Sequence, residues 1–465
     1  MGKTSRLKVF RVWAIAVLIC SLGSRLEAQT LLRVGVALNV VNGTLGGVGS
    51  MTDSSGISVP LSGRTSVSVG DGGVWVQGRF LSFPVKIYGD NLSFGPIGYR
   101  GSIELIPSRV GRGFNVVNVV ELEDYVRGIM KVEANPEWPM EFLKAQAVVA
   151  RTYALRNLGR HMSDGFDICS SLHCQVYRGR NGESPRSDQA VFNTSGVVLM
   201  YGSSLAITPF HSDSGGITAA ASDVWGGRVP YLLSRPEPFQ YRSPYSSWKT
   251  VLSSSQIESA LKRINRWVGN IIGIRVVTRD KGGRITAMDI KGSAGTVRLS
   301  GHAFRMALGT SVVRSTNFTI NGKMDTPDNS TVDRPIEADV KGKTDVSYET
   351  DPLVEMVEDG LFSKDEVFDM IMNPSKREMY KKMGEARTQG GTSRKGNDDD
   401  NRTAVATSSP TIRRASGSNS WVLEGQGWGH GVGMSQWGAK TMAEYGWNFE
   451  QILMYYFPGT HLGRR

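Results

Sequence analysis

Three groups of residues in this sequence have types and spacings that can do chemistry. The first is a lone carboxylate, Glu133, in KVEANPEWPM, where a helical apolar pattern gives out before Pro136 and Pro139. A carboxylate at a helix C-terminus faces the negative end of the dipole, and partial burial there favours the neutral acid. A carboxylic acid kept protonated near neutral pH is what protonation of a glycosidic oxygen requires. The plain alternative is a solvated Glu at a helix end. The second group is His161, Cys169, His173 and Cys174, in RHMSDGFDICSSLHCQVYRG. Two thiols and two imidazoles in one loop suit tetrahedral zinc, while the cysteine pair equally suits a disulfide in an oxidising compartment. The third group is split between HSDSGG (211–216) and GWGHGVGMSQWGA (427–439). His211 with Ser214 invites a serine-hydrolase reading, but the GxSxG elbow is missing, so polar groups lining a groove are the better one. In the glycine-rich run, Trp428 and Trp437 have faces suited to sugar rings, and His430 is placed to donate to a sugar or to Glu133. A glycine-rich hairpin with packed tryptophans is the alternative, and the GxGxxG spacing of a dinucleotide loop is absent.

The elements that must position Glu133 are two helices meeting at a corner. Leu122, Tyr125, Val126, Ile129 and Val132 recur at helical spacing, and the prolines stop that helix. A second helix starts near Pro139–Met140, with Leu143, Ala147, Ala150 and Ala154 as a smooth packing face and Gly159 as C-cap. Upstream, short β-like runs separated by Gly and Asp turns form a β-rich region, residues 29–110. Val116, Val117, Val119 and Val120 are too apolar for a one-faced strand and predict a central one. Downstream, strands are expected around 196–201, 206–211, 271–277 and 285–290, and helices over 253–268 and 300–308. The fold class is α+β: a β-rich core, a packed helix pair and a flexible insertion.

With 465 residues, 40% hydrophobic and 21% charged, the chain has a globular balance and length for two or three domains. Residues 325–416 carry 19 acidic and 14 basic residues, a net of −5, so the remainder of the +11 chain is +16. Low hydrophobicity marks this stretch as linker, with capping boxes at Ser363-x-x-Glu366 and Ser375-x-x-Glu378 announcing short helices inside it. Residues 1–28 read as a signal peptide: basic Lys3, Arg6, Lys8 and Arg11, then a short apolar core, with cleavage after Ala28. An uncleaved anchor is the alternative and the one expected membrane contact. The expected location is therefore extracytoplasmic. A positive core suits an anionic wall polymer; nucleic acid is set aside for want of its motifs.

Four blocks resemble, in order, the stage II sporulation protein D / amidase-enhancer (LytB-like) family: VVNVVELEDYVRGIMKVEANPEWPMEFLKAQAVVARTYAL, DICSSLHCQVYRG, HSDSGGITAAASDVWGGRVPYL and GQGWGHGVGMSQWGA, with YYFPGT closing. The resemblance covers most of residues 95–320 and 420–462, which divides the core into 111–324 and 417–465 around the insertion. It implies a lytic transglycosylase acting on peptidoglycan glycan strands, preferably stripped of stem peptides, with the family's catalytic glutamate falling on Glu133. The family's Glu-Met-Pro is Glu133-Ala134-Asn135 here. The resemblance also implies a structural zinc at His161, Cys169, His173 and Cys174, raising zinc over the disulfide. One glutamate suffices if the substrate's C6 hydroxyl attacks C1 and the same carboxyl serves as acid and then base, whereas ordinary glycosidases need two. Arg151, Tyr153, Gln175, Tyr177, His211, Ser212, Ser214, His430 and Gln436 are the groove candidates, and Asp213 is the first suspect for a second carboxylate. Some relatives act as amidase enhancers, so a non-catalytic peptidoglycan-binding partner of a cell-wall amidase is the second functional expectation.

Overall fold

The valine-rich run Phe114–Glu121 is the central strand its composition predicts. This strand, β10, pairs antiparallel with β1 (Leu31–Val40) on one side and β9 (Ser102–Pro107) on the other. Val116, Val117 and Val120 are completely buried, which removes any need for polar alternation. The structure is a computed structural model and describes residues 30–171, 173–321, 362, 366, 377–389 and 420–465. The sheet continues from β9 through β7 (Val85–Phe94), β2 (Asn42–Thr52), β4 (Thr65–Gly70), β5 (Gly73–Val76) and β6 (Arg79–Ser82). Strands β3 (Ser58–Ser62) and β8 (Ile97–Gly98) pair with β2 and β7. On the other edge, β11 (Ile168–Cys169) adds parallel to β1. One sheet thus runs through residue 110, and the β-rich region and the start of the core share it. Outer strands alternate: in β3, Val59 and Leu61 are buried while Ser58, Pro60 and Ser62 face out.

Helix α1 (Leu122–Glu133) leaves directly from β10, and α2 (Met140–Arg156) follows across the proline corner. Leu122, Tyr125, Val126 and Ile129 are buried as the spacing predicts, but Val132 is 39% exposed. The apolar face ends a turn early because the chain leaves the helix at Ala134, which is extended at φ −143°. In α2 the predicted face is buried, and so are Phe142, Gln146, Val149, Arg151 and Thr152. This helix is central, packed against α1, the helix Pro185–Asn193, the strand Val197–Tyr201 and the C-terminal helices Gln436–Glu444 and Phe449–Tyr456. Asn157 caps α2, and Gly159, at φ +75°, makes the turn that follows.

A second core gathers Trp248, Ile257, Leu261, Met288, Phe304 and Leu423. It is built from the sheet Trp248–Ser253, Ser420–Gly425 and Phe318–Ile320 and the meander Ile271–Arg279, Ile285–Gly292 and Gly295–Leu299. The helix expected over 253–268 is Ser254–Arg263, with a capping box from Ser253 and Gln256. It stops early because Asn265 takes a positive φ of 54°. Part of the insertion joins this core: Phe362 and, from the helix Arg377–Gln389, Tyr380 and Met383 are buried in it. The leader expected at 1–28 and most of 325–416 lie outside the described residues. Among the described residues no helix is long and apolar enough to cross a membrane. The class is α+β, as the sequence predicts.

Candidate functional site

Glu133 is the last residue of α1 and half-buried. The turn after it is stiff. Asn135 accepts from the Glu137 amide through its side chain (3.0 Å) and from the Trp138 amide through its carbonyl (3.1 Å). Arg186, on the neighbouring helix, donates to the carbonyls of Pro136 (2.9 Å) and Trp138 (3.0 Å). The C-terminal block closes the other side: Gln436 Nε2 donates to the Glu133 carbonyl at 2.8 Å and to Gln146 Oε1 at 3.4 Å. Beside it Trp138 and Trp437 meet edge to face, centroids 4.9 Å apart, with the Lys440 ammonium 5.9 and 5.4 Å from the two rings. Gln436 and Trp437 are thus brought to the Glu133 corner from some 300 residues away.

The two motifs of the third group meet through a short parallel pairing, Phe210 with Met434 and His211 with Ser435, and a bridge from Asp213 to Trp428. Such close backbone approach needs Gly433, where a Cβ would fall 2.2 Å from the Pro209 carbonyl oxygen and φ is +73°. His211 is buried, its Nδ1 donating to the Val432 carbonyl (3.1 Å). His430 is also buried, Nδ1 accepting from the Val432 amide (3.0 Å), between the rings of His211 and Trp225. Ser212 is half-buried and its carbonyl accepts from the Trp437 amide at 3.0 Å. Trp428 is flanked by Arg314 and Tyr245, at 4.9 and 4.7 Å.

Ser214 is fully buried, and its hydroxyl donates to Glu237 Oε1 at 2.6 Å, not to a histidine. Glu237 Oε2 accepts from Tyr456 at 2.7 Å. Asp213 is equally buried and accepts from Tyr241 (2.9 Å), the Gly215 amide (2.7 Å) and Ser243. Burial pushes Glu237 up to about 7, against hydrogen bonds from Ser214, Tyr456 and Ser435 that pull it down. Sequence reading missed Glu237, Tyr241 and Tyr456; nothing in RPEPFQY distinguishes that Glu from an exposed one.

Two groove candidates are placed elsewhere. Arg151 has no exposed surface and forks onto Glu123 (2.8 and 2.6 Å), with further bonds to the Val197 and Val191 carbonyls. Tyr177 is buried, stacked on Tyr125 at 5.0 Å, its hydroxyl donating to Asn118 (2.8 Å). Both are structural because the helix face and loop that carry them turn into the core. Gln175 is buried, accepting from Tyr125 (3.1 Å) and donating to the Ala150 carbonyl (3.4 Å), and so ties its loop to both helices. Tyr153 is half-buried in α2.

His161, Cys169, His173 and Cys174 converge as a buried quartet whose ligand atoms all lie within 4.8 Å of one another. Both cysteines are free thiols, so the geometry does not take up the disulfide alternative. His173 Nδ1 is 3.6 Å from each sulfur and 3.0 Å from His161 Nε2. Tetrahedral zinc spaces S and N donors about 3.3–3.8 Å apart, so both sulfur–nitrogen spacings fit and the two imidazoles stand slightly closer. His161 turns its other nitrogen to Asp164 (3.0 Å), the partner that fixes a ligating imidazole. Burial raises the Cys169 thiol, but hydrogen bonds from Cys174, His161 and His173 outweigh it and hold Cys169 well below the usual range.

A family profile described as Stage II sporulation protein matches residues 110–201, the stretch holding the helix pair and the Cys/His loop. The chain is 25% identical to an "Amidase enhancer" of Bacillus subtilis over 72% of this chain and 40% of that one. It is 25% identical to a "Stage II sporulation protein D" of Bacillus amyloliquefaciens over 74% of this chain and 75% of that one. The chain belongs to the stage II sporulation protein D / amidase-enhancer family. An uncharacterized protein of Brachyspira hyodysenteriae is 32% identical over 55% of this chain and 67% of its own length. A further profile, a domain of unknown function, matches residues 228–333, most of the second core. The family stretch therefore contributes the Glu133 corner and the quartet, while Gln436 and Trp437 come from beyond it.

Proposed function

We propose that this chain is a peptidoglycan lytic transglycosylase that cleaves glycan strands with Glu133 as general acid and then base. Membership of the family supports a cell-wall-related role. The observation that carries the finer reading is the Glu133 corner: a half-buried carboxyl at a braced helix end, beside a paired-indole ledge. Glu133 protonates the glycosidic oxygen as the C1–O bond breaks. The C6 hydroxyl of the same sugar then attacks C1 and gives its proton to the Glu133 carboxylate, closing an anhydro ring and restoring the acid. Trp138 and Trp437 offer apolar faces to the strand, with Lys440 over both rings. Gln436 fixes the main chain of Glu133 and so the direction of its side chain.

His161, Cys169, His173 and Cys174 would hold a zinc ion, which supplies cross-linking of the loop rather than chemistry on substrate. The loop's Gln175 and Tyr177 pack on α1 and α2, so holding the quartet braces the helices that carry Glu133. Export through residues 1–28 would bring the chain to its polymer. A second reading, recruitment of a cell-wall amidase, is favoured by the relative named Amidase enhancer. The two separate on peptide-free glycan strands alone: the enzyme releases anhydro-muramic ends without any partner, and the recruiter releases nothing.

A further inference from the structure

A cleft of about 560 Å³ opens between the turn at 213–216, the segment 237–246 and Gln426. Its size falls in the range that takes small organic ligands, roughly 300–1,000 Å³. Its walls carry Asp213, Glu237, Phe239, Gln240, Tyr241, Arg242 and Gln426. Every group at the back is fixed. Tyr241 is held by Asp213 (2.9 Å), and Glu237 by Ser214 (2.6 Å) and Tyr456 (2.7 Å). Phe239 stacks on Tyr445, centroids 4.3 Å apart and planes 2° from parallel.

The chemistry of this lining is that of a polyhydroxyl ligand. Two primary amides both donate and accept, and a carboxyl pushed up to about 7 by burial does either near neutral pH. A rigid aromatic ring offers the apolar face that a sugar ring needs. The cleft also shares a support with the Glu133 corner. Gln436, at the start of the helix Gln436–Glu444, bonds the Glu133 carbonyl. Gly438, two residues on, lies so close to Glu237 that a Cβ there would come within 2.3 Å of its Oε2.

We propose that this cleft is a second saccharide subsite, separate from the Glu133 corner, that holds a remote part of a glycan strand. It rests on the glycan reading above for the identity of its ligand. The test is calorimetric binding of peptide-free glycan oligomers of increasing length to the full chain carrying Glu133→Gln, so that nothing is turned over. Phe239→Ala and the pair Gln240→Ala/Gln426→Ala are added to that background; both glutamines are exposed, so the pair leaves the fold intact. Either change should weaken the longest oligomers at least tenfold and leave the shortest unaffected. Equal affinity at every length, or no binding by the parent, overturns the subsite. Product analysis of the chain with Glu133 intact is run separately. Cleavage with a cleft-independent affinity would retire the subsite alone, and cleft-dependent binding without cleavage would retire the transglycosylase alone.

Discussion

At Arg151 the guanidinium is fully buried and forked onto Glu123, whose side chain keeps 31% of its surface exposed. Replacing Arg151 with Met removes both guanidinium bonds to that carboxylate, which keeps only the Gly196 amide (3.0 Å), and the bonds to the Val197 and Val191 carbonyls. Breaking such a pair from one side should destabilise the fold by about 3 kcal/mol, read as a lower urea midpoint. A groove residue would instead lose glycan affinity with the midpoint unchanged. Glu237 carries the opposite electrostatic signature. Its carboxyl is pushed up to about 7 in the fold, above the 4.5 of an unperturbed glutamate, so the folded state binds the extra proton between those values. Stability therefore falls as pH rises from about 4.5 to about 7 and is level above. Urea midpoints across pH 5–8 should show this slope in the native chain and lose it in Glu237→Gln. An unchanged slope in that variant would assign it to other groups.

At the scale of elements, α1, α2 and the loop at 161–177 act as one unit. Tyr177 packs so closely on α1 that a Cβ on Gly128 would sit 2.3 Å from its ring. Cys174→Ser is expected to remove bound zinc, about one ion per chain by elemental analysis, and to lower Tm. A chelator should do the same to the native chain. Absence of metal together with loss of the free thiols on isolation would contradict the zinc reading. The helix pair was legible because its periodicity and its two prolines are local signals. Arg151 and Tyr177, set in the groove by residue type, are buried because residue type does not say which face of a central helix or which side of a loop meets solvent: α2 is buried on nearly every side, and Tyr177 turns in onto Tyr125 and Asn118. The quartet was legible from donor types, while its convergence depends on β11 joining the edge of β1, which no local pattern announces. Glu237 was invisible because its neighbours, Ser214 and Tyr456, lie 23 and 219 residues away.

Across the whole molecule, two cores are joined at the site. Arg284, from the second core, is buried and donates to the Ser214 carbonyl, while the C-terminal block threads from the second core's sheet into the first. The insertion, which leaves and re-enters the second core's sheet between Phe318–Ile320 and Ser420–Gly425, is not pure linker, since Phe362, Tyr380 and Met383 are buried in that core. Its acidic, polar composition hides those three side chains from a sequence average. Deleting 322–419 should therefore lower Tm more than deleting 391–419 alone, whereas equal Tm values for the two deletions would show that the buried trio contributes nothing.

On the proposed function, Glu133 is the acid and then the base of a glycan-cleaving reaction. That role is read by mass spectrometry of peptide-free glycan strands incubated with the chain lacking residues 1–28, beside the same chain carrying Glu133→Gln. Anhydro-muramic ends from the native chain and none from the variant are the predicted result. Reducing ends, or anhydro ends that persist in the variant, would contradict it.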